Sequence, residues 1–138
     1  MAYMTLPIYN IDSPVGERQP NLPEDVRLVQ QLMNAVARTD GGWAPPAALP
    51  ADGKYSDNLK AWILAFQTRC ARRNPSFRYV LDGKLNPIRM HGAQDWDPSF
   101  GGRTVAALYT LNYRSWEGDR QAHLRLGMLM NLRDGKAA

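Results

Sequence analysis

The sequence predicts an all-α domain with three core helices and a further helix near its C-terminal end. Apolar residues recur at helical spacing in separate segments, a periodicity typical of amphipathic helices. One turn sequence, Asp-Gly-Lys, occurs at Asp52 and again at Asp82, and each copy is followed by a helical segment. At 138 residues the chain is long enough for one domain with a single hydrophobic core.

The first helix is expected to begin at Pro23 and to end near Arg38. Proline suits the first helical position because its missing N–H would have no partner there. Glu24 and Asp25 follow in the first turn, where the helix dipole favours negative charge. The apolar stripe of this helix consists of Val26, Val29, Leu32, Met33 and Val36. Residues 1–20 show little periodicity and are interpreted as an extended N-terminal arm.

The second helix is expected to begin with Ser56 as its N-cap and to end near Arg72. Residues 41–50 are rich in glycine and proline, so a loop is predicted before it. Gly53, like Gly83 in the second copy of the turn, is expected to adopt positive φ. The buried face of the helix is predicted to contain Leu59, Trp62, Ile63, Phe66 and Cys70.

The second half of the chain is less regular. Large residues alternate over residues 77–81, which predicts a short strand. Residues 86–100 are interpreted as an inserted loop. A third helix is predicted from Arg103 to Arg114, and a fourth from Asp119 to about Arg133. We expect Leu32, Trp62, Phe66 and Leu108 to meet in one core.

The order of these motifs resembles that of the peptidoglycan-binding domain of bacterial cell-wall hydrolases. That family has a V-x-x-L/V-Q-x-L helix, a D-G-x-F/Y turn, a helix ending in F-Q, a second D-G turn, and a last helix that opens with G-x-x-T and contains A-L. The matching segments are residues 26–32, 52–55, 66–67, 82–83 and 101–108. Ser56-Asp57-Asn58-Leu59 departs from the Gly-Pro and Thr that usually follow the first turn in the family.

The resemblance implies a three-helix domain over residues 21–116, interrupted by the insertion at about 86–100. Beyond the resemblance, residues 117–138 are expected to form a C-terminal helix packed on that domain. The function implied is non-catalytic binding of peptidoglycan, through its glycan or its stem peptide. In the family the two turns border a groove between helices where wall material is thought to lie.

Five residues are candidates for ligand binding. Tyr55, Gln67 and Lys84 are carried over from the resemblance because they lie at or near the turns; a purely structural capping role is the alternative. Trp43 and Trp96 lie in predicted loops, where a rigid aromatic face commonly holds sugar or peptide. The alternative for each tryptophan is that it fills the space beneath its own loop.

A second function remains open. The first residues lack the basic and long apolar regions of a secretory signal, so the chain is expected in the cytoplasm or exported by a non-classical route to the periplasm or wall. This favours a structural or adaptor protein that binds a protein partner, in a phage particle or a secretion apparatus. Its interface would then include the apolar residues Leu126, Leu129 and Met130 of the fourth helix.

Enzymatic chemistry is poorly supported, and a wall-cleaving enzyme is only a remote third option. His91 and His123 are too few for a dedicated zinc site, and Cys70 is predicted to face the core. We therefore expect no cofactor, no metal and no catalytic residue. No segment has the apolar length of a membrane span.

The net charge of +4 favours an anionic partner, although nothing beyond charge suggests nucleic acid. The densest group of cations is Arg69, Arg72, Arg73 and Arg78. We interpret this group as a solvated patch that complements the dipole at the end of the second helix.

Overall fold

A computed structural model of the chain describes residues 6–76, 78–88, 94–97 and 102–129. Its elements in chain order are α1 (Pro23–Thr39), α2 (Asp57–Arg73), β1 (Gln94–Asp97), β2 (Gly102–Val105), α3 (Ala107–Gly118) and α4 (Arg120–Leu129). Within the described residues the strands form only one short antiparallel pair, and most of the core residues lie on the helices. The predicted all-α class is confirmed.

The first two helices run in the same direction. Asp40, just after α1, forms an ion pair of 2.8 Å with Arg69 near the end of α2. At the opposite end, Gly53, just before α2, lies against Pro23, the first residue of α1. Each helix has 17 residues and is therefore about 25 Å long. The loop between them must return along that whole length.

The start of each of these helices follows from local chemistry. Ser56 is the N-cap of α2, and its hydroxyl oxygen accepts a hydrogen bond of 3.1 Å from the Leu59 N–H, as predicted. Pro23 begins α1, also as predicted. Asp25 has a different role from the one expected, because it is 3% exposed and accepts hydrogen bonds from the backbone N–H groups of Asp12 and Ser13.

One hydrophobic core joins the helices and the arm. Leu32, Trp62, Phe66 and Leu108 are all buried in it, so the four residues meet in one core as expected. Cys70 is buried there too. The arm contributes Tyr9, Ile11 and Val15, and α4 contributes Leu126.

Hydrogen bonds fix the arm on α3 and on the segment that follows the second Asp-Gly turn. The Asn112 side chain in α3 accepts a hydrogen bond from the Tyr9 N–H at 2.8 Å and donates one to the Tyr9 carbonyl at 3.0 Å. Asn10 makes the same pair of bonds with the backbone of Ile88, at 3.0 and 2.8 Å. Val15 and Leu85 are bridged by two backbone hydrogen bonds of 2.9 Å.

The predicted start of the third helix is wrong. Gly102–Val105 is strand β2, which pairs with β1 inside the segment expected to be an inserted loop, and α3 begins only at Ala107. Thr104 and Val105 are β-branched and favour extended backbone once a partner strand is present. The partner lies opposite in an antiparallel register, with Thr104 facing Asp95.

The predicted strand at 77–81 and the predicted fourth helix can also be compared with the structure. Of the segment 77–81 the structure describes residues 78–81, in which only Arg78 forms a single β-bridge and no strand is present. Tyr79 packs on the core, and its hydroxyl lies 3.0 Å from that of Thr110. The fourth helix begins at Arg120, with the Asp119 carboxylate accepting a hydrogen bond from the Ala122 N–H. The expected end near Arg133 lies outside the described residues.

Candidate functional site

The two Asp-Gly turns are built alike, each around one buried glutamine from the preceding helix. Gln30 in α1 accepts a hydrogen bond of 2.9 Å from the Gly53 N–H and donates to Asp52 Oδ1 and to the Lys54 carbonyl, at 3.0 and 3.2 Å. Gly53 has φ +74° and, as expected, adopts the left-handed region. The amide of Gln30 thus replaces the backbone partners that the turn lacks.

Gln67 in α2 repeats this arrangement with the second turn. It accepts a 2.9 Å hydrogen bond from the Gly83 N–H and donates to Asp82 Oδ1 at 3.2 Å and to the Lys84 carbonyl at 2.9 Å. Gly83 has φ +70°. The Asp-Gly repeat in the sequence is therefore a repeat in three dimensions, bond for bond. The same bonds assign a structural task to Gln67, which is only 2% exposed, and support the capping alternative for this residue.

Tyr55 and Lys84 lie in one neighbourhood. Lys60 pairs with Glu17 at 3.0 Å, close enough to Tyr55 for both charges to act on its hydroxyl. Lys84 packs against Gly16, the residue before Glu17. Burial raises the pKa of Tyr55, and among the described residues its buried hydroxyl has no hydrogen-bond partner. This neighbourhood lies near the start of α1.

Trp43 lies near the other end of α1. Its ring packs edge-on against Trp62, with ring centroids 5.5 Å apart, and against Phe66 at 5.3 Å. The side chain is half-buried, and within the described residues its indole N–H is buried without an acceptor. Trp43 therefore does not line a common concavity with Tyr55 and Lys84. The side chain of Trp96 lies outside what the structure describes.

A surface depression of about 400 Å³ is lined in part by Trp43. It lies between the loop after α1 and the last turns of α2. Its lining consists of Gly42, Trp43, Ala65, Thr68, Arg69, Arg72 and Arg73. We call it the Trp43 depression. It combines an aromatic side chain with guanidinium groups, a set of groups suited to carboxylate ligands that also carry apolar surface.

The charges of the Trp43 depression are only partly compensated. Arg69 donates to both carboxylate oxygens of Asp40, at 2.8 and 2.9 Å, and Arg73 lies 3.8 Å from the same carboxylate. Arg72 has no ion-pair partner among the described residues. Two of the three guanidinium groups therefore share one carboxylate and the third has none among the described residues, so the depression attracts anions.

Covalent chemistry is not available at the neighbouring thiol. Cys70 is buried behind the depression, and burial raises its pKa to about 12. The thiol therefore stays protonated at neutral pH and is a poor nucleophile. Among the described residues no group of three or more His, Cys, Asp or Glu is placed to hold a metal ion.

The sequence identified the arginines of this depression but not their combination with Trp43. Proximity of Arg69, Arg72 and Arg73 follows from helical spacing, whereas the position of Trp43 depends on the return path of a long loop. No local signal in the sequence predicts that the Asp40 carboxylate would hold Arg69.

Comparisons with known protein families, with curated protein sequences and with solved structures gave no match. In the part of the chain that the structure describes, every helix falls short of the apolar length required to cross a membrane.

Proposed function

We propose that this chain is a non-catalytic binding module for bacterial cell-wall peptidoglycan. The observation that carries the proposal is the pair of glutamine-braced turns. Asp52-Gly53 and Asp82-Gly83 are among the motifs by which the sequence resembles the wall-binding family. Both turns share the same set of hydrogen bonds, so the repeat within this chain is a duplicated structural unit, and this supports the proposal.

The Trp43 depression is the proposed contact surface. Peptidoglycan stem peptides carry free carboxylates, and sugar rings present apolar faces. Arg72 and Arg73 supply guanidinium groups for the carboxylates, and Trp43 supplies an aromatic contact for the sugar faces. Because these cations lie at the surface, binding is expected to weaken as the salt concentration rises.

Sedimentation with purified insoluble peptidoglycan tests this proposal. The intact protein should sediment with the wall material, and the supernatant should contain no released muropeptides. Arg72→Glu should reduce the bound fraction, because it replaces an uncompensated cation with an anion. Arg27→Glu, an equal change in charge at the exposed start of α1, is the matched control and should bind like the unmodified protein.

A further variant tests where the binding site lies, independently of whether the protein binds peptidoglycan. Lys84→Glu alters the neighbourhood of Tyr55 and should leave binding unchanged if the Trp43 depression is the contact surface. If Lys84→Glu loses binding and Arg72→Glu does not, the binding site lies at the turns, and the proposed function still holds. Failure of the intact protein to sediment would reject the function, and released muropeptides would indicate an enzyme.

A further inference from the structure

A second concave surface lies between α1 and α4, separate from the Trp43 depression. Gly118, just before α4, lies against Thr39 at the end of α1. From there α4 runs back beside α1, and an open groove of about 510 Å³ separates the exposed sides of the two helices. We call this surface the α1–α4 groove.

The groove has an apolar floor made partly of small residues. Ala35 from α1 and Ala122 and Leu126 from α4 line it. Alanine at facing positions lets another backbone approach closely. Met128 forms part of the wall and is 81% exposed, which is unusual for a large apolar side chain. Methionine adapts its shape readily to a bound surface.

Two cations flank this floor from opposite helices. Arg38 belongs to α1 and Arg125 to α4, and both line the groove, whereas none of the described lining residues is acidic. Within the described residues neither arginine has an ion-pair partner. The groove therefore pairs an apolar strip with uncompensated positive charge on both sides.

We propose that the α1–α4 groove binds an amphipathic helix of a partner protein, one whose apolar stripe is flanked by acidic residues. The part of α4 that lines the groove, from Ala122 to Met128, is about 9 Å long, close to two helical turns. A third helix laid between two others buries its apolar side chains in this way. Carboxylates beside that stripe would meet Arg38 and Arg125.

Charge argues against a second copy of this chain as the occupant. In a symmetric dimer through this surface, Arg38 and Arg125 of one copy would approach the same arginines of the other. Like charges facing each other at an interface oppose association. An acidic partner removes this repulsion and supplies the missing counter-charges.

Synthetic peptides provide the test, because they present the proposed apolar stripe and its acidic flanks directly. One peptide of about 18 residues, long enough to form a helix, carries leucines at i, i+3, i+4 and i+7 with glutamates beside them. The second replaces every glutamate with lysine. Fluorescence anisotropy should show that the acidic peptide binds about tenfold or more tightly than the basic one.

Charge reversal in the protein sharpens the test. The double variant Arg38→Glu/Arg125→Glu should reverse the preference and favour the basic peptide. Lys54→Glu, an exposed charge reversal outside the groove, is the control and should retain the acidic preference. Met128→Ala should weaken binding of the acidic peptide but keep the preference for it over the basic peptide, because the substitution removes apolar contact and no charge. Circular dichroism should confirm that each variant remains folded.

The other possible occupants give distinct results. Equal binding of both peptides, or an unchanged preference in the double variant, would overturn the proposal. Sedimentation equilibrium that shows a dimer dissociating in Met128→Ala would assign the groove to a second copy instead. Binding to anionic phosphatidylglycerol vesicles that the double variant loses, without binding to either peptide, would assign it to a membrane surface. None of these outcomes depends on peptidoglycan binding.

Discussion

Gln30 and Gln67 show how one side chain can define a turn that the backbone alone would leave incomplete. In each case the amide oxygen accepts from a glycine N–H, and the amide nitrogen donates to an aspartate and to a lysine carbonyl. Both glutamines are almost fully buried, at 1% and 2% exposure. Burial of an amide is tolerated because its donors and its acceptor are all used.

The two glycines of these turns should differ in their tolerance of alanine. Both have positive φ, so either substitution should cost about 1–2 kcal/mol of unfolding free energy. At Gly53 the added methyl would also lie 3.0 Å from the backbone oxygen of Pro23, whereas at Gly83 it would meet the flexible side chains of Leu64 and Lys60. Urea unfolding should therefore show a larger loss for Gly53→Ala than for Gly83→Ala.

Gly42→Ala is the control for this comparison. A methyl group there meets only the guanidinium of Arg69 at 3.7 Å, an ordinary contact, and the change should remain within about 0.5 kcal/mol. Equal losses at all three positions would contradict the assignment of strain to the two turns.

The elements that could be predicted from the sequence are those determined by nearby residues. Ser56 caps α2 through a residue three positions on, and the buried face of α2 follows from its own periodicity. The start of α3 could not be predicted in the same way, since Gly102–Val105 becomes a strand only through its pairing with β1. The packing of Trp43 on Trp62 and Phe66 likewise depends on a loop that returns along α1 and α2.

The loop between α1 and α2 should depend on Trp43 for its stability. Its ring packs on two buried aromatic residues of α2, so Trp43→Ala should lower the unfolding free energy by about 2–4 kcal/mol. Trp43→Phe keeps an aromatic ring at this position and should lower the unfolding free energy much less than Trp43→Ala does. A chemical denaturation midpoint that Trp43→Ala leaves unchanged would show that the ring serves only as a ligand contact.

At the scale of the whole molecule, His123 joins the arm to the last two helices. Its Nε2 donates to the Pro7 carbonyl at 2.7 Å, since a carbonyl can only accept, and in the neutral ring Nδ1 then accepts from the Ser115 hydroxyl at 2.8 Å. The ring also stacks on Tyr9, with centroids 4.7 Å apart. The side chain is completely buried, and burial lowers its pKa.

Stability should consequently fall as the solution becomes more acidic. The unfolded chain protonates His123 near its ordinary pKa of about 6.5, whereas the folded chain does so only at lower pH. The contribution to stability is thus fully present above about pH 6.5 and is lost as the pH falls towards the folded pKa, at no more than about 1.4 kcal/mol per pH unit.

Urea unfolding between pH 7.5 and 5, above the range in which most carboxylates titrate, measures this slope. The His123→Gln variant should be less stable, and its unfolding free energy should depend less on pH. The chain's other histidine gives the control, because His91→Gln should retain the slope if His123 carries it. A slope that survives in His123→Gln would assign the pH dependence to other groups.

The contact between Pro7 and His123 also has a consequence for biosynthesis. The two residues are 116 positions apart, and Tyr9 lies 103 positions before its partner Asn112. At a synthesis rate of about 5–20 residues per second, the arm leaves the ribosome several seconds before either partner exists. In that interval Tyr9 lacks its hydrogen-bond partners on α3 and α4, and the part of the core that these helices supply does not yet exist. The nascent chain therefore exposes an unsatisfied apolar segment, and chaperones that recognise such segments are expected to bind it until α3 and α4 emerge.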